Sequence, residues 1–173
     1  MSQAIVLAGP NGAGKTTFAN EYLSTMEDTV TFVNADEIAR EASLLRLPDT
    51  KRNVRAGRLM LQRIDDLASS AVTFMFETTL ASLTYARRIR AWQTSGYTVA
   101  LIYLRLPDVE RSIARVKRRV AAGGHDIPET VIRRRYARSL ENLKHVYQPI
   151  VDEWYIWDSV EGDFILAASW DDA

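Results

Sequence analysis

Cysteine is missing from all 173 residues. Disulfides and thiolate-ligated metals are therefore excluded, and an intracellular life is the expectation. Histidine is scarce: His125 and His145 are the only two, and they do not make a metal site. An excess of one charge is missing too. Lys+Arg and Asp+Glu each number 22, so the net charge is zero. That argues against a protein whose task is to coat nucleic acid or an anionic membrane. No apolar run approaches the length of a membrane span. The opening MSQAIVLAG has neither the charged head nor the long apolar stretch of a signal peptide. A cytoplasmic protein is expected, with no membrane partner and with nucleic acid disfavoured.

What is present is ordinary for a globular chain: 47% apolar and 25% charged residues. The length suits one buried core. No internal repeat and no low-complexity linker divides residues 1–173, so they read as one domain. Charge is uneven along it. Arginines crowd residues 105–138, whereas residues 151–173 are acidic and carry no Lys or Arg. A local anion site fits this better than a general polyanion surface.

Short apolar runs alternate with longer helical patterns. Strands are expected at 4–8 (AIVLA), 30–34, 72–76 (VTFMF), 98–104 (TVALIYL) and 154–157 (WYIW), with 164–168 a candidate sixth. Helices are expected at 15–25, at 49–70 with Val54, Leu61, Ile64 and Ala68 on its apolar face, and at 84–95. A further helix follows Pro107, with Val109, Ile113, Val116 and Val120 on one face, and stops at Gly123-Gly124. Pro128 starts another, to about 147. Trp154 and Trp157 read as packing residues rather than a base-stacking platform. The pattern predicts an α/β fold: a parallel five-stranded sheet with helices on both faces.

Residues 9–16, GPNGAGKT, fit G-x-x-x-x-G-K-[ST] between a buried strand and a helix. In the cofactor-binding stretch Pro10-Asn11-Gly12-Ala13-Gly14-Lys15-Thr16-Thr17 the glycines let the backbone N–H groups after Pro10 turn inward on phosphate oxygens, and the helix N-terminus adds its dipole. Lys15 reaches the terminal phosphates of ATP, and the Thr16 hydroxyl is placed for Mg²⁺.

The fate of the terminal phosphate depends on the neighbouring strand ends, where catalytic groups collect in such a sheet. Asp36, in NADEIA, follows the second strand and is the candidate base that takes a proton from an attacking hydroxyl. The alternative is a cap for a helix at 37–44. Glu77, Thr78 and Thr79, in FETTL, end the third strand and suit a polyhydroxylated substrate; a partly solvated strand end is the alternative. Arg55 and Arg58 on the helix 49–70 face the substrate or simply solvate a surface. Arg115 and Arg119, four residues apart, share one side of their helix, and Arg133–Arg135 with Arg138 begin the next. The two helices and their glycine turn, residues 107–148, form a candidate lid whose arginines neutralise the phosphoryl group in flight; a solvated basic surface is the alternative. His125 reads as a residue that bonds its own turn.

GPNGAGKTT, NADEIA, FETTL, GYTVALIYLRLP and RVKRRVAAGGHDIPETVIRRRY, in that order, resemble the zeta-toxin family of small kinases from about residue 4 to 158. The resemblance implies a P-loop NTPase core similar to nucleoside-monophosphate kinases. It implies ATP as donor and, as in members of the family, the 3′-hydroxyl of the amino sugar of UDP-N-acetylglucosamine as acceptor. By the same resemblance Lys15 binds the triphosphate, Asp36 is the base, Glu77 and Thr79 contact the sugar nucleotide, and Arg119 and Arg135 hold phosphates. An antitoxin partner follows from the resemblance alone. One departure is Glu37-Ile38-Ala39 after Asp36, where the family tends to carry polar or basic residues. The rivals are a kinase for another acceptor, such as an antibiotic hydroxyl or a nucleic-acid 5′ end, and a regulatory module that hydrolyses ATP slowly.

Overall fold

The computed structural model describes residues 2–26, 29–35, 37–38, 41 and 49–172. Asp36 lies outside the described residues, as does most of the helix expected at 37–44.

Among the described residues six strands form one sheet: β1 Gln3–Ala8, β2 Thr31–Val33, β3 Phe74–Thr78, β4 Thr98–Arg105, β5 Glu153–Val160 and β6 Asp163–Ser169. Their order is β2-β3-β1-β4-β5-β6. The first five run parallel, and β6 pairs antiparallel with β5. The expected five parallel strands are thus extended by a hairpin partner. The Glu161-Gly162 turn allows this return, with both residues at positive φ.

The α-helices whose bounds lie among the described residues are α1 Lys15–Ser24, α2 Asp49–Ser69, α3 Ala86–Thr94, α4 Val109–Ala121 and α5 Glu129–Asn142. They cover both sheet faces, which is why β1 and β4 are almost wholly apolar and buried. One face packs Val6, Phe74, Phe76 and Leu101 with Ile64 of α2, Ile89 of α3 and Tyr147. The other packs Ile5, Leu7, Met75 and Ile102 with Phe18 of α1. Phe18 stands edge-on to Trp157 of β5 and Phe164 of β6, with ring centroids 5.5 and 5.0 Å away. β6 therefore closes this second core; fully burying a phenylalanine is worth roughly 1.5–3 kcal/mol.

Several boundaries differ from the sequence pattern. The third strand is Phe74–Thr78 rather than 72–76, because Ala71 takes φ 52 and turns the chain before the strand begins. Glu77 and Thr78 are therefore inside β3. Val54, expected on the apolar face of α2, is 57% exposed. The helix expected to reach 147 changes at Asn142 into a wide turn, Leu143–Tyr147, closed by Gln148 N–H donating to the Leu143 carbonyl. β3 pairs directly with β1, whereas β2, the strand leading to Asp36, lies one place further out.

Candidate active site

The stretch between β1 and α1 is a loop that starts the helix directly, with Gly14 at φ 87 as its N-cap. Its shape depends on α4. Gly12 has φ 78, and a Cβ there would stand 2.9 Å from Arg115 Cβ. The Ser112 hydroxyl donates to the Asn11 carbonyl at 2.5 Å, and Arg115 donates to the Gly12 carbonyl at 3.3 Å. Asp108 caps the start of α4, its carboxylate accepting the Arg111 N–H at 2.7 Å. α4 is thus held against the loop through Ser112 and Arg115 on one side of the helix.

Lys15 Nζ donates to the Gly9 and Pro10 carbonyls at 3.0 and 3.1 Å, so its ammonium lies over the loop. Glu77 reaches across from β3. One carboxylate oxygen stands 3.5 Å from the Thr16 hydroxyl, and the other accepts the Ala35 N–H at 3.3 Å. Glu77 is only 8% exposed. The register Leu7↔Glu77 and Ala8↔Thr78 places these groups beside the loop that follows β1.

A cavity of about 560 Å³ opens over the loop, and Lys15, Thr16, Glu77, Thr79, Arg119 and Arg135 all face it. Arg135 is half-buried there and makes no hydrogen bond or ion pair among the described residues. Burial, with Arg134 next to it, pushes its pKa down. A half-buried guanidinium in that position is suited to an anion. Arg119 donates to the His125 carbonyl at 3.0 Å, so it is folded onto the turn that ends α4. Gly123 and Gly124 cap that helix by donating to the Val120 and Arg119 carbonyls.

Other arginines go elsewhere. Arg115 lines the cavity, but its guanidinium also donates to the Ser159 hydroxyl and carbonyl, at 2.7 and 3.2 Å. Burial, then Arg111 and Arg118, lowers its pKa. Arg133 joins Glu110 at 2.6 Å and Glu129 at 2.7 Å, which ties α5 to α4. Arg55 and Arg58 are exposed on α2, and neither lines the cavity. Asn11, Gly12, Gly14 and Thr17 line it, whereas Pro10 and Ala13 do not; Ala13 is buried beneath the loop. His125, read from the sequence as a residue that bonds its own turn, accepts Arg119 on its carbonyl, and it also lines the cavity, a place that sequence reasoning did not give it. The glycine-flanked GGHD turn was the available signal.

A second cavity of about 390 Å³ shares Gly14, Thr17 and Arg115 with the first and runs between α4 and the β5–β6 turn, past Arg118 and Phe164. Sequence spacing gave no sign of it, because it forms only when β6 folds back.

The Thr16 hydroxyl and Glu77 carboxylate are hard oxygen donors side by side at the loop, a pair that fits Mg²⁺ sharing phosphate oxygens and water.

The strand order, the loop between β1 and α1 and the cavity over it define a P-loop NTPase of the nucleoside-monophosphate-kinase-like type. The family of zeta toxins matches residues 2–161, and the chain belongs to that family. An uncharacterised protein of Haemophilus influenzae is 31% identical over 138 residues, covering 78% of this chain and 93% of the relative. Three solved structures share the fold. The PezAT chromosomal toxin-antitoxin system of Streptococcus pneumoniae has a TM-score of 0.73 at 16% identity, over 100% of this chain and 73% of that one. AvrRxo1-ORF1:-ORF2 with ATP has a TM-score of 0.70 at 18% identity, over 98% and 58%. A gluconokinase from Sinorhizobium meliloti has a TM-score of 0.56 at 17% identity, over 92% and 83%. At these identities the structures speak for the fold alone.

Proposed function

We propose that this protein is an ATP- and Mg²⁺-dependent kinase that moves the γ-phosphoryl group of ATP to a hydroxyl of a small metabolite, with UDP-N-acetylglucosamine the first acceptor to test. The observation that carries this reading is the shared cavity. It sets a phosphate loop opposite the hydroxyl- and carboxylate-bearing end of β3, with the half-buried Arg135 beside both. ATP as donor is further supported by the likeness to a structure that holds ATP.

The triphosphate lies along residues 10–17, where loop N–H groups and the α1 N-terminus favour negative charge. Lys15 turns from the Gly9 and Pro10 carbonyls to the β- and γ-phosphates. Arg135 and Arg119 balance charge on the phosphoryl group as it moves. The nucleoside reaches into the second cavity, toward Arg118 and Phe164. Thr16 and Glu77 would hold Mg²⁺, which would supply neutralisation of phosphate charge. Glu77 then serves the metal side, and Thr79 remains for the acceptor.

The acceptor oxygen forms a bond to the γ-phosphorus, and the bond from that phosphorus to the β–γ bridging oxygen breaks. ADP leaves with that electron pair. The hydroxyl proton passes to the Asp36 carboxylate. Arg115 keeps the loop in shape through the Gly12 carbonyl. Of the lid at 107–148, the moving part is the turn at 122–128, because α4 is tied to the phosphate loop and α5 to the sheet. Tyr136 bonds the Leu106 carbonyl and Tyr103 bonds Ser139. Arg58 has no part in this mechanism. The likeness to the PezAT toxin-antitoxin system supports an antitoxin as protein partner.

The test is incubation with labelled ATP, Mg²⁺ and a panel of hydroxylated metabolites that includes UDP-N-acetylglucosamine. A new phosphorylated metabolite is expected, identified by mass. Free phosphate alone with every candidate would overturn the kinase reading.

A further inference from the structure

The chain leaving β3 takes an unusual path. Leu80 is fully buried yet has φ 59, a conformation that a residue with a Cβ adopts only when its surroundings demand it. It follows directly after Thr78 and Thr79, both on the cavity wall. The Thr78 hydroxyl accepts the Leu80 N–H at 3.1 Å. From the far side, Asn142 Nδ2 donates to the Leu80 carbonyl at 2.8 Å, and the Tyr147 hydroxyl donates to the Ser82 carbonyl at 2.6 Å.

Two side chains five residues apart grip the same loop. On an α-helix such residues point about 140° apart around the axis. The wide turn at Leu143–Tyr147 changes this, since its Gln148 N–H to Leu143 carbonyl bond spans five residues and stacks a residue over the fifth one before it. Asn142 and Tyr147 are thereby brought to one side. Asn142 is also seven residues from Arg135, about two turns along α5, and so shares its face. One face of one helix thus presents a cation to the cavity and a clamp to the loop that forms its wall.

We propose that Asn142 and Tyr147 are positioning residues for the acceptor. They hold residues 80–82 in the strained path that aims Thr78 and Thr79 into the cavity, and the wide turn exists to bring both to that loop. This rests on the kinase reading, with the β3 end as the acceptor side.

Tyr147→Phe removes only a hydroxyl and keeps the buried ring. Asn142→Asp keeps the shape and removes the donor, and Asn142→Gln restores a donor on a longer arm. Steady-state kinetics would use ATP and UDP-N-acetylglucosamine, or the acceptor found with the panel, and hydrogen exchange would follow the amides of residues 79–84. The acceptor KM is expected to rise about tenfold in Tyr147→Phe and Asn142→Asp, with the KM for ATP within about twofold of wild type and partial recovery in Asn142→Gln. Amides 79–84 are expected to exchange faster in the first two. An unchanged acceptor KM in both variants would overturn the proposal. So would a parallel rise in both KM values with a lowered Tm, the mark of a purely structural role. Wild-type protein that phosphorylates no acceptor would remove the kinase reading and the acceptor role together. The clamp would still be judged by exchange, and unchanged exchange at 79–84 would overturn it independently.

Discussion

Two carboxylates and one ammonium divide the proposed chemistry among single residues. In the proposed mechanism Lys15 neutralises phosphate charge, so Lys15→Ala is expected to abolish measurable ATP binding while the circular dichroism spectrum is kept. In that mechanism Asp36 takes the proton, so Asp36→Asn is expected to keep ATP affinity and lose roughly 10²–10⁴-fold in turnover. Titration with a fluorescent ATP analogue beside product assays separates the two; equal loss of binding in both variants would count against Asp36 as base. Glu77 stands 3.5 Å from the Thr16 hydroxyl, and the proposal ties its role to the metal. Glu77→Gln is expected to raise the Mg²⁺ concentration for half-maximal rate by roughly 10–100-fold, by analogy with other losses around metal sites. A Mg²⁺ dependence that does not move would return Glu77 to the substrate. Arg133 shows the opposite case. Its contacts with Glu110 and Glu129 raise its pKa but lie at the surface, where ion pairs contribute little.

Among the elements, α4 matters most to the site, because it supports the phosphate loop from behind. Its start is set by Pro107 and the Asp108 cap, and its end by the glycine turn at 123–124. Asp108→Ala is expected to cost about 1 kcal/mol. For a chain of this size that lowers Tm by roughly 2–4 °C, as calorimetry would show. ATP affinity should change little, since Ser112 and Arg115 still bond the Asn11 and Gly12 carbonyls. A large loss of ATP binding would mean that the cap sets the loop itself. β6 has no fully buried residue, yet it shapes the surroundings of the phosphate loop. It contributes Phe164 to the packing around Phe18 and forms one wall of the second cavity.

For the molecule as a whole, the tyrosines in the core are expected to set the alkaline limit. Burial pushes the hydroxyls of Tyr85, Tyr103 and Tyr147 up to about 12 from 10.0. A pKa raised by folding means that the unfolded chain loses these protons first. The stabilisation they give is complete below pH 10 and is lost as the pH rises toward 12. Unfolding in that window is expected to coincide with tyrosinate absorbance, and tyrosinate appearing well before unfolding would contradict it. The sequence by itself determined the α/β alternation, the phosphate loop with Lys15 and Thr16, the buried central strands and the helix punctuation at Pro107 and Gly123. Those features follow from neighbours along the chain: turn residues, apolar periodicity and the N–H groups at a helix start. Only the tertiary structure decided that β3 rather than β2 lies beside β1, that β6 runs back along β5, and that Arg115 bonds Ser159 while Arg135 enters the cavity. It also decided that the helix widens at 143, so that Asn142 and Tyr147 meet the loop after β3. Spacing shows which face of a helix a residue occupies, but what that face meets depends on strands far apart in the chain and on how their side chains fill the space between them.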